Sequence, residues 1–410
     1  LGSNAYGQLG DGTTTNSSIP LQLSPPSGVD YFTYVTAGGA HTCAIGNDNE
    51  AYCWGYNNSG SLGDGTTTDS DTPVQVDASG ISGFTNWTQV EGGDAHTCGI
   101  ANDNELYCWG EGSDGQLGRG SAADSSVPVQ VTKPSGVTGW VKVQMQSTAT
   151  CALADDEQIY CWGSNTNGQL GTDDGYSWHN TPEQIALPSG VTGWTDLGMN
   201  VGYTGCAIAD TGDDYCWGRD GEYQVGEGSG TADQQAPRRV HDTLLNAVSA
   251  TAPLASLHAG ATGSCGIASN GEPFCWGINL HGQVGDGTTT TRNKPKLVSG
   301  SNYDTNPAIL IQHGAQDACM IRQDQTLWCW GYNQYGAVGD GTTSERTSPV
   351  QVEVTTPTVA NFAAAEICPP PEALECSDRS VAVGDKHACA LNEYGIAHCW
   401  GDNTYGQLGD

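Results

Sequence analysis

Residues 41–55 read His41-Thr-Cys43-Ala-Ile-Gly-Asn47-Asp-Asn49-Glu-Ala-Tyr-Cys53-Trp-Gly55. Two short apolar runs flank a turn of Asn and Asp, the pattern of a β-hairpin. Its closing triplet returns as Cys108-Trp109-Gly110, Cys161-Trp162-Gly163, Cys216-Trp217-Gly218, Cys275-Trp276-Gly277, Cys329-Trp330-Gly331 and Cys399-Trp400-Gly401. Units therefore end near 55, 110, 163, 218, 277, 331 and 401, with a period of 53–59 residues that lengthens to 70 in the last. Repetition at this period marks a propeller or solenoid, in which each unit buries its faces only against its neighbours.

Working outward from the hairpin, the first unit offers four short extended segments, 20–23, 34–38, 41–45 and 51–54, separated by Gly, Asn and Asp. Four strands in each of seven units predict an all-β, seven-bladed β-propeller with four-stranded antiparallel blades, a single domain over 1–410. The segment read as first strand recurs as Pro-x-x-aliphatic from Pro20, Pro73, Pro128, Pro182, Pro237, Pro295 and Pro349. A proline at the first residue of a strand forfeits no ladder bond and suits an edge. Between units runs Gly-x-aliphatic-Gly, at 7–10, 60–63, 115–118, 168–171, 282–285, 336–339 and 406–409, with Tyr223 replacing the first Gly at 223–226. Its central Leu or Val is the apolar anchor of a polar loop and reads as a wedge between adjacent blades.

Two cysteines lie ten residues apart in every unit: Cys43 and Cys53, Cys98 and Cys108, Cys151 and Cys161, Cys206 and Cys216, Cys265 and Cys275, Cys319 and Cys329, Cys389 and Cys399. An even offset around an odd loop places them opposite one another on one hairpin face, within disulfide reach at a non-hydrogen-bonded pair. One intrablade disulfide per blade is expected. An eighth pair, Cys368 and Cys376, lies in the insertion 355–380 of the last unit and is expected to close it. Zinc is the rival reading, because His41, His96 and His387 each precede the first Cys by two residues. Ala149, Thr204, Gly263 and Asp317 stand there in the other four units, so the His reads as a structural turn residue and no metal is expected. Tryptophan next to Cys points to the opposite face, which assigns these seven indoles to packing between blades.

The run Ala37-Gly-Gly-Ala-His-Thr-Cys-Ala-Ile45, followed by Tyr52-Cys-Trp-Gly-Tyr-Asn57 and Gly60-Ser-Leu-Gly-Asp64, resembles the regulator-of-chromosome-condensation repeat. The resemblance covers nearly the whole chain and implies the propeller. It leaves the function open, since such propellers serve as exchange factors, photoreceptors, secreted inhibitors and interaction modules. The chromatin-linked exchange factor works in a reducing compartment, unlike a chain with 16 Cys, and the photoreceptor needs clustered Trp and Arg at a dimer face. The nearest analogue is the secreted propeller that inhibits β-lactamases by covering a protein with one mouth of its ring.

Charge sets further bounds. With 46 acidic and 13 basic residues the formal charge is −33, and Arg238-Arg239 is the sole basic cluster, so nucleic acid is excluded as a partner. Many of the Asp residues adjoin Gly as turn formers, with a weak divalent-cation site among them held open; no calcium-loop spacing is present. No segment is long or apolar enough to span a bilayer as a helix. Sixteen cysteines predict a protein outside the cell or on its surface, and the absence of an initiating Met or signal peptide implies that Leu1 is not the start of the gene product. Acceptor sequences for N-glycosylation occur at Asn16, Asn57 and Asn86.

No nucleophile elbow, phosphate loop or His-Glu-x-x-His motif is present, so no enzyme and no cofactor are expected. Function is sought where units differ. At 172–180 the usual Asp-Gly-Thr-Thr-Thr is replaced by a loop bearing Tyr176, Trp178 and His179, aromatics suited either to anchoring a protein partner or to packing on the next blade. The other departures are 242–257, apolar and with a helical pattern, 299–307, polar, and 355–380. The ends are duplicated: residues 402–410 repeat 3–11, Tyr405 and Leu408 matching Tyr6 and Leu9. Eight connectors are thus encoded for a ring of seven. Either the chain is a piece of a longer protein cut inside its repeat array, or one terminal segment adds to a neighbouring molecule, head to tail, to give a filament or array. The expected function is that of a structural or protein-binding propeller. Its alternatives are a secreted inhibitor or adhesin acting through one mouth of the ring, and a propeller enzyme.

Overall fold

In the computed structural model the chain forms seven four-stranded antiparallel sheets arranged as one ring. The structure describes all residues except 1–3, 16, 200–201, 229–230, 241–252, 301–302, 335, 353–380, 384–386, 392–394, 396 and 402–410. The eighth disulfide expected from sequence, between Cys368 and Cys376, falls in the insertion 355–380 and lies outside the described residues. So does the second terminal copy, with Tyr405 and Leu408.

Strand β1 (Ser17–Gln22) comes first in sequence but last in its sheet. Blade I comprises β2 (Phe32–Ala37), β3 (His41–Gly46), β4 (Ala51–Gly55) and β5 (Ser70–Gln75). Blade II comprises β6 (Trp87–Gly92), β7 (His96–Ala101), β8 (Leu106–Gly110) and β9 (Ser125–Gln130). Blade III follows with β10 (Trp140–Met145), β11 (Ala149–Ala154), β12 (Ile159–Gly163) and β13 (His179–Gln184). Blade IV has β14 (Trp194–Gly198), β15 (Thr204–Ala209), β16 (Asp214–Gly218) and β17 (Gln234–Arg239). In blade V these are β18 (Leu254–Ala259), β19 (Gly263–Ala268), β20 (Pro273–Gly277) and β21 (Arg292–Leu297). Blade VI is built from β22 (Ala308–His313), β23 (Asp317–Arg322), β24 (Leu327–Gly331) and β25 (Arg346–Gln351). Blade VII takes β26 (Val381–Val383), β27 (His387–Leu391) and β28 (Ala397–Gly401) from the end of the chain and β1 from its beginning, in the order β26-β27-β28-β1. Strand β1 closes the ring, pairing antiparallel with β28.

This arrangement corrects the unit drawn from sequence. The proline-bearing segment is the outermost strand of the preceding blade, not the first strand of its own: β5, with Pro73, pairs with β4, and β1, with Pro20, pairs with β28. Each proline is the fourth residue of its strand and sits in an irregular stretch. Cys53 faces Val74 and Gly55 faces Ser70, so residues 71–73 oppose Trp54 alone. An outermost strand and a bulge both tolerate a residue without an N–H, which is why the edge assignment holds although the position shifts.

The seven intrablade disulfides form as the spacing predicts. In each blade the paired cysteines are directly opposite, with Cα atoms 4.0–4.1 Å apart. Gly46 N donates to Glu50 O at the turn, so alternation makes Cys43 and Cys53 a non-hydrogen-bonded pair, the close type. Each bond closes a loop of about ten residues and contributes roughly 2 to 3 kcal/mol at most through chain entropy.

The core lies between blades. Cys43, Ile45, Cys53 and Leu62 of blade I pack with Trp87, Val90, Tyr107 and Trp109 of blade II. All seven tryptophans of the Cys-Trp-Gly triplets are 0% exposed, as the packing reading required.

Candidate functional site

The connector from the third to the fourth strand of a blade is the recurring joint of the ring. In blade I, Asn57 organises it: Oδ1 accepts Leu62 N at 3.0 Å, while Nδ2 donates to Thr66 O at 3.3 Å and Thr68 O at 2.9 Å and approaches Asp64 Oδ1 at 3.4 Å. Leu62 is thereby driven into the seam with blade II, where it is fully buried. The Trp109 indole N–H donates to Ser61 O at 3.0 Å, locking the next blade to the loop. Gly63 has φ +71°, and a Cβ on it would meet that indole at 2.6 Å, so the last glycine of the motif is required twice over.

The histidines belong to the same joint. Thr97 of blade II gives its hydroxyl proton to Ser61 O at 2.8 Å, so the His41 ring donates from Nε2 to Thr97 Oγ1 across 2.9 Å. His96 reaches Thr150, and His387 reaches Thr42, in the same way at 3.0 Å. Burial lowers the pKa of His41 to about 4 and of His96 to about 3, which keeps both neutral. These residues open strands β3 and β7 rather than sitting in turns, a refinement of the structural reading. Their neighbouring cysteines are spent in disulfides. Among the described residues no three His, Cys, Asp or Glu side chains converge as a metal site.

Tyr6 and Leu9 occupy the corresponding connector of blade VII. Asn4 Oδ1 accepts Leu9 N at 2.9 Å, Leu9 is fully buried, and Gln8 O accepts both the Trp54 indole N–H at 2.8 Å and Thr42 Oγ1 at 2.9 Å. Tyr6 is exposed and meets the Tyr56 ring edge-on at 4.8 Å. The N-terminal copy of the duplicated segment thus fills the joint between blades VII and I.

The loop of blade III takes the same path and then departs. Asn165 holds Leu170 N, but beyond it Asp173 and Tyr176 adopt φ +57° and +65°, a region L side chains seldom enter. Asp174 pairs with His179, the first residue of β13, and Asp173 N and Gly175 N donate to Gln235 of blade IV at 2.9 and 3.2 Å. The backbone docks on the neighbouring blade while the rings do not. Tyr176 is 43% and Trp178 55% exposed, and Trp178 is the only exposed one of the twelve tryptophans. Tyr176 and Trp178 are therefore available to a partner, whereas His179 is tied into the loop.

Among the described residues the ring's central channel holds no reactive constellation. Tyr34 and Thr36 of blade I, Gln89 of blade II and Gln144 of blade III all donate to the single carboxylate of Glu91. Of the other departures, Leu254–Leu257 belong to β18 instead of a helix, and 242–252 lie outside the described residues. In 299–307, Tyr303 packs on the Arg322 guanidinium, which also covers Trp328, at 4.8 and 4.6 Å from the ring centres. Sequence reading missed this clamp and the His–Thr contacts. Asn57 is fully buried and engaged, which removes it as a glycosylation acceptor; Asn86 is half-buried and Asn16 is not described.

These features define a closed, disulfide-stapled seven-bladed propeller whose blades are keyed together by one loop each. Models of the regulator of chromosome condensation (RCC1) repeat match residues 1–45, 48–100, 103–153 and 324–365, and in a second form 32–61, 87–116, 147–169 and 379–407. The chain belongs to the RCC1-repeat family. It is 27% identical over 362 residues to the ultraviolet-B receptor UVR8 of Arabidopsis thaliana, covering 86% of this chain and 76% of that protein. It is 30% identical over 305 residues to the human E3 ubiquitin-protein ligase HERC2, covering 73% of this chain but 6% of the ligase. Among solved structures, Prp20p of Saccharomyces cerevisiae, described with its binding to Gsp1p and histones, superposes with a TM-score of 0.78 at 18% identity over 98% of this chain and 90% of its own. Human WBSCR16 does so with 0.73 at 17% identity, over 95% and 96%.

Proposed function

We propose that this chain is a non-enzymatic structural or protein-binding propeller of the cell exterior or surface, and that it assembles head to tail through its duplicated terminal connector. The observation that carries the reading is the occupancy of the VII/I joint. Residues 4–13 fill it with Asn4, Gln8 and Leu9, and residues 402–410 encode the same set again as Asn403, Gln407 and Leu408. In a second copy such a segment would take the place of residues 4–13 at this joint, and a heterologous exchange of that kind propagates. Protein binding agrees with the family: a yeast relative is described in complex with Kap60. The disulfides and the −33 charge support the extracellular setting and argue against nucleic acid. Electron microscopy of the purified full chain tests the assembly: filaments with a repeat one propeller thick are expected, and dispersed single rings at all concentrations would refute it.

A second reading, a secreted inhibitor or adhesin that covers a partner with one face of the ring, is favoured by the exposed Tyr176 and Trp178 on a braced loop. In that case Trp178→Ala abolishes capture of the partner while the ring stays intact.

A further inference from the structure

Six connectors hold the buried Leu or Val amide with the side chain five residues upstream. Five use an amide, Asn4, Asn57, Asn165, Asn279 and Asn333; blade IV uses Asp220, whose Oδ1 accepts Val225 N at 2.9 Å. The substitution changes the sense of the other atom. In the connectors of Asn4, Asn57, Asn279 and Asn333, Nδ2 donates into a nest of acceptors: Asn279 Nδ2 reaches Thr288 O at 3.0 Å, Thr290 O at 3.1 Å and Asp286 Oδ1 at 3.3 Å. Asp220 carries an oxygen in place of that amide nitrogen, with Glu227 in the sequence place of Asp286. An ionised carboxylate there has nothing to donate and faces negative charge; a protonated one donates as the amide does.

We propose that Asp220 is a proton-binding site that makes the joint between blades IV and V tighten on protonation and loosen on ionisation. Asp220 is 1% exposed. The charged groups around it come from its own connector: Glu227, Asp233, whose carboxylate accepts Asp220 N at 3.0 Å, and the Arg219–Glu222 pair. Among the described residues, the groups that blade V sets against this connector are neutral. The Trp276 indole N–H and Ser264 Oγ each donate to Gln224 O at 2.9 Å, and Ala261 O accepts from Gln224 Nε2 at 3.4 Å. Burial, then the charges of Glu227 and Asp233, raises the Asp220 pKa to about 7, against the lowering effect of the Val225 N–H. The joint therefore responds near neutrality, while its asparagine counterparts do not titrate at all.

The test is amide hydrogen exchange in the full chain, reading the protection of Val225 relative to Leu62, Val284 and Val338, whose amides serve as controls under the same base catalysis. Between pH 5.5 and 8.5 the relative protection of Val225 should fall by about tenfold or more. In Asp220→Asn, which installs the residue of five other connectors, the ratio should stay flat. In Glu227→Gln the midpoint of the fall should move to lower pH, because the ionised form of Asp220 is repelled less. A flat ratio in the parent chain, or an unchanged fall in Asp220→Asn, would overturn the proposal.

Discussion

The connectors of blades I and III leave their third strands with the same asparagine and bury the same leucine, yet they end differently. From Asn57 onward the loop's carboxylates turn inward, Asp64 capping Thr66 N at 2.9 Å and Asp69 accepting Asn57 N at 2.7 Å. From Asn165 onward the anchor is kept and the outer half is rebuilt around Asp174, leaving two aromatic rings in solvent. The comparison separates the residues that hold the ring from those free to meet something else. Asp220 adds a third case, in which the anchor itself is altered.

The largest effect should come from breaking the shared half. Trp109→Ala removes a fully buried indole and its bond to Ser61 O, and is expected to cost about 3 to 5 kcal/mol in chemical denaturation. Replacing Cys43 and Cys53 together by serine should cost about 2 to 3 kcal/mol and expose the hairpin to proteolysis first. Acid should act on the same seams. His41, His96, His313 and His387 have folded-state pKa values lowered by burial to about 4, 3, 4 and 3. Above about pH 6.5 neither state binds these protons; below it the unfolded chain does and the fold does not, so stability falls by about 1.4 kcal/mol per pH unit for each, until the folded pKa is reached. A thermal midpoint unchanged between about pH 7 and 4.5 would contradict this. The smallest effect on the ring belongs to Trp178→Ala: within about 0.5 kcal/mol of the parent in stability, with loss of the tryptophan most open to a soluble quencher.

Much of this was legible from residue spacing. The Cys-Trp-Gly triplet fixes strand, facing and disulfide together, because a period of two sends Cys and Trp to opposite sides of the sheet. The strand assignment of the proline segment was not legible, since whether it opens its own blade or closes the previous one depends on pairing across a long connector. Asn57 reads as a glycosylation acceptor in sequence and becomes the buried organiser of a loop only when Leu62, Thr66 and Thr68 are brought round it. Arg322 gave no signal, because Tyr303 and Trp328 approach it from two different segments. Tyr176 and Trp178 were visible as departures from the repeat, and their exposure follows from a backbone held by Gln235 of the next blade.

The occupied joint between blades VII and I leads to the most direct test. Light scattering of the full chain and of a chain ending at residue 401, across the same concentrations, compares one molecule with and without its second connector. The account predicts mass growing with concentration for the full chain and a constant single-ring mass for the shortened one; identical, concentration-independent masses for both would contradict it.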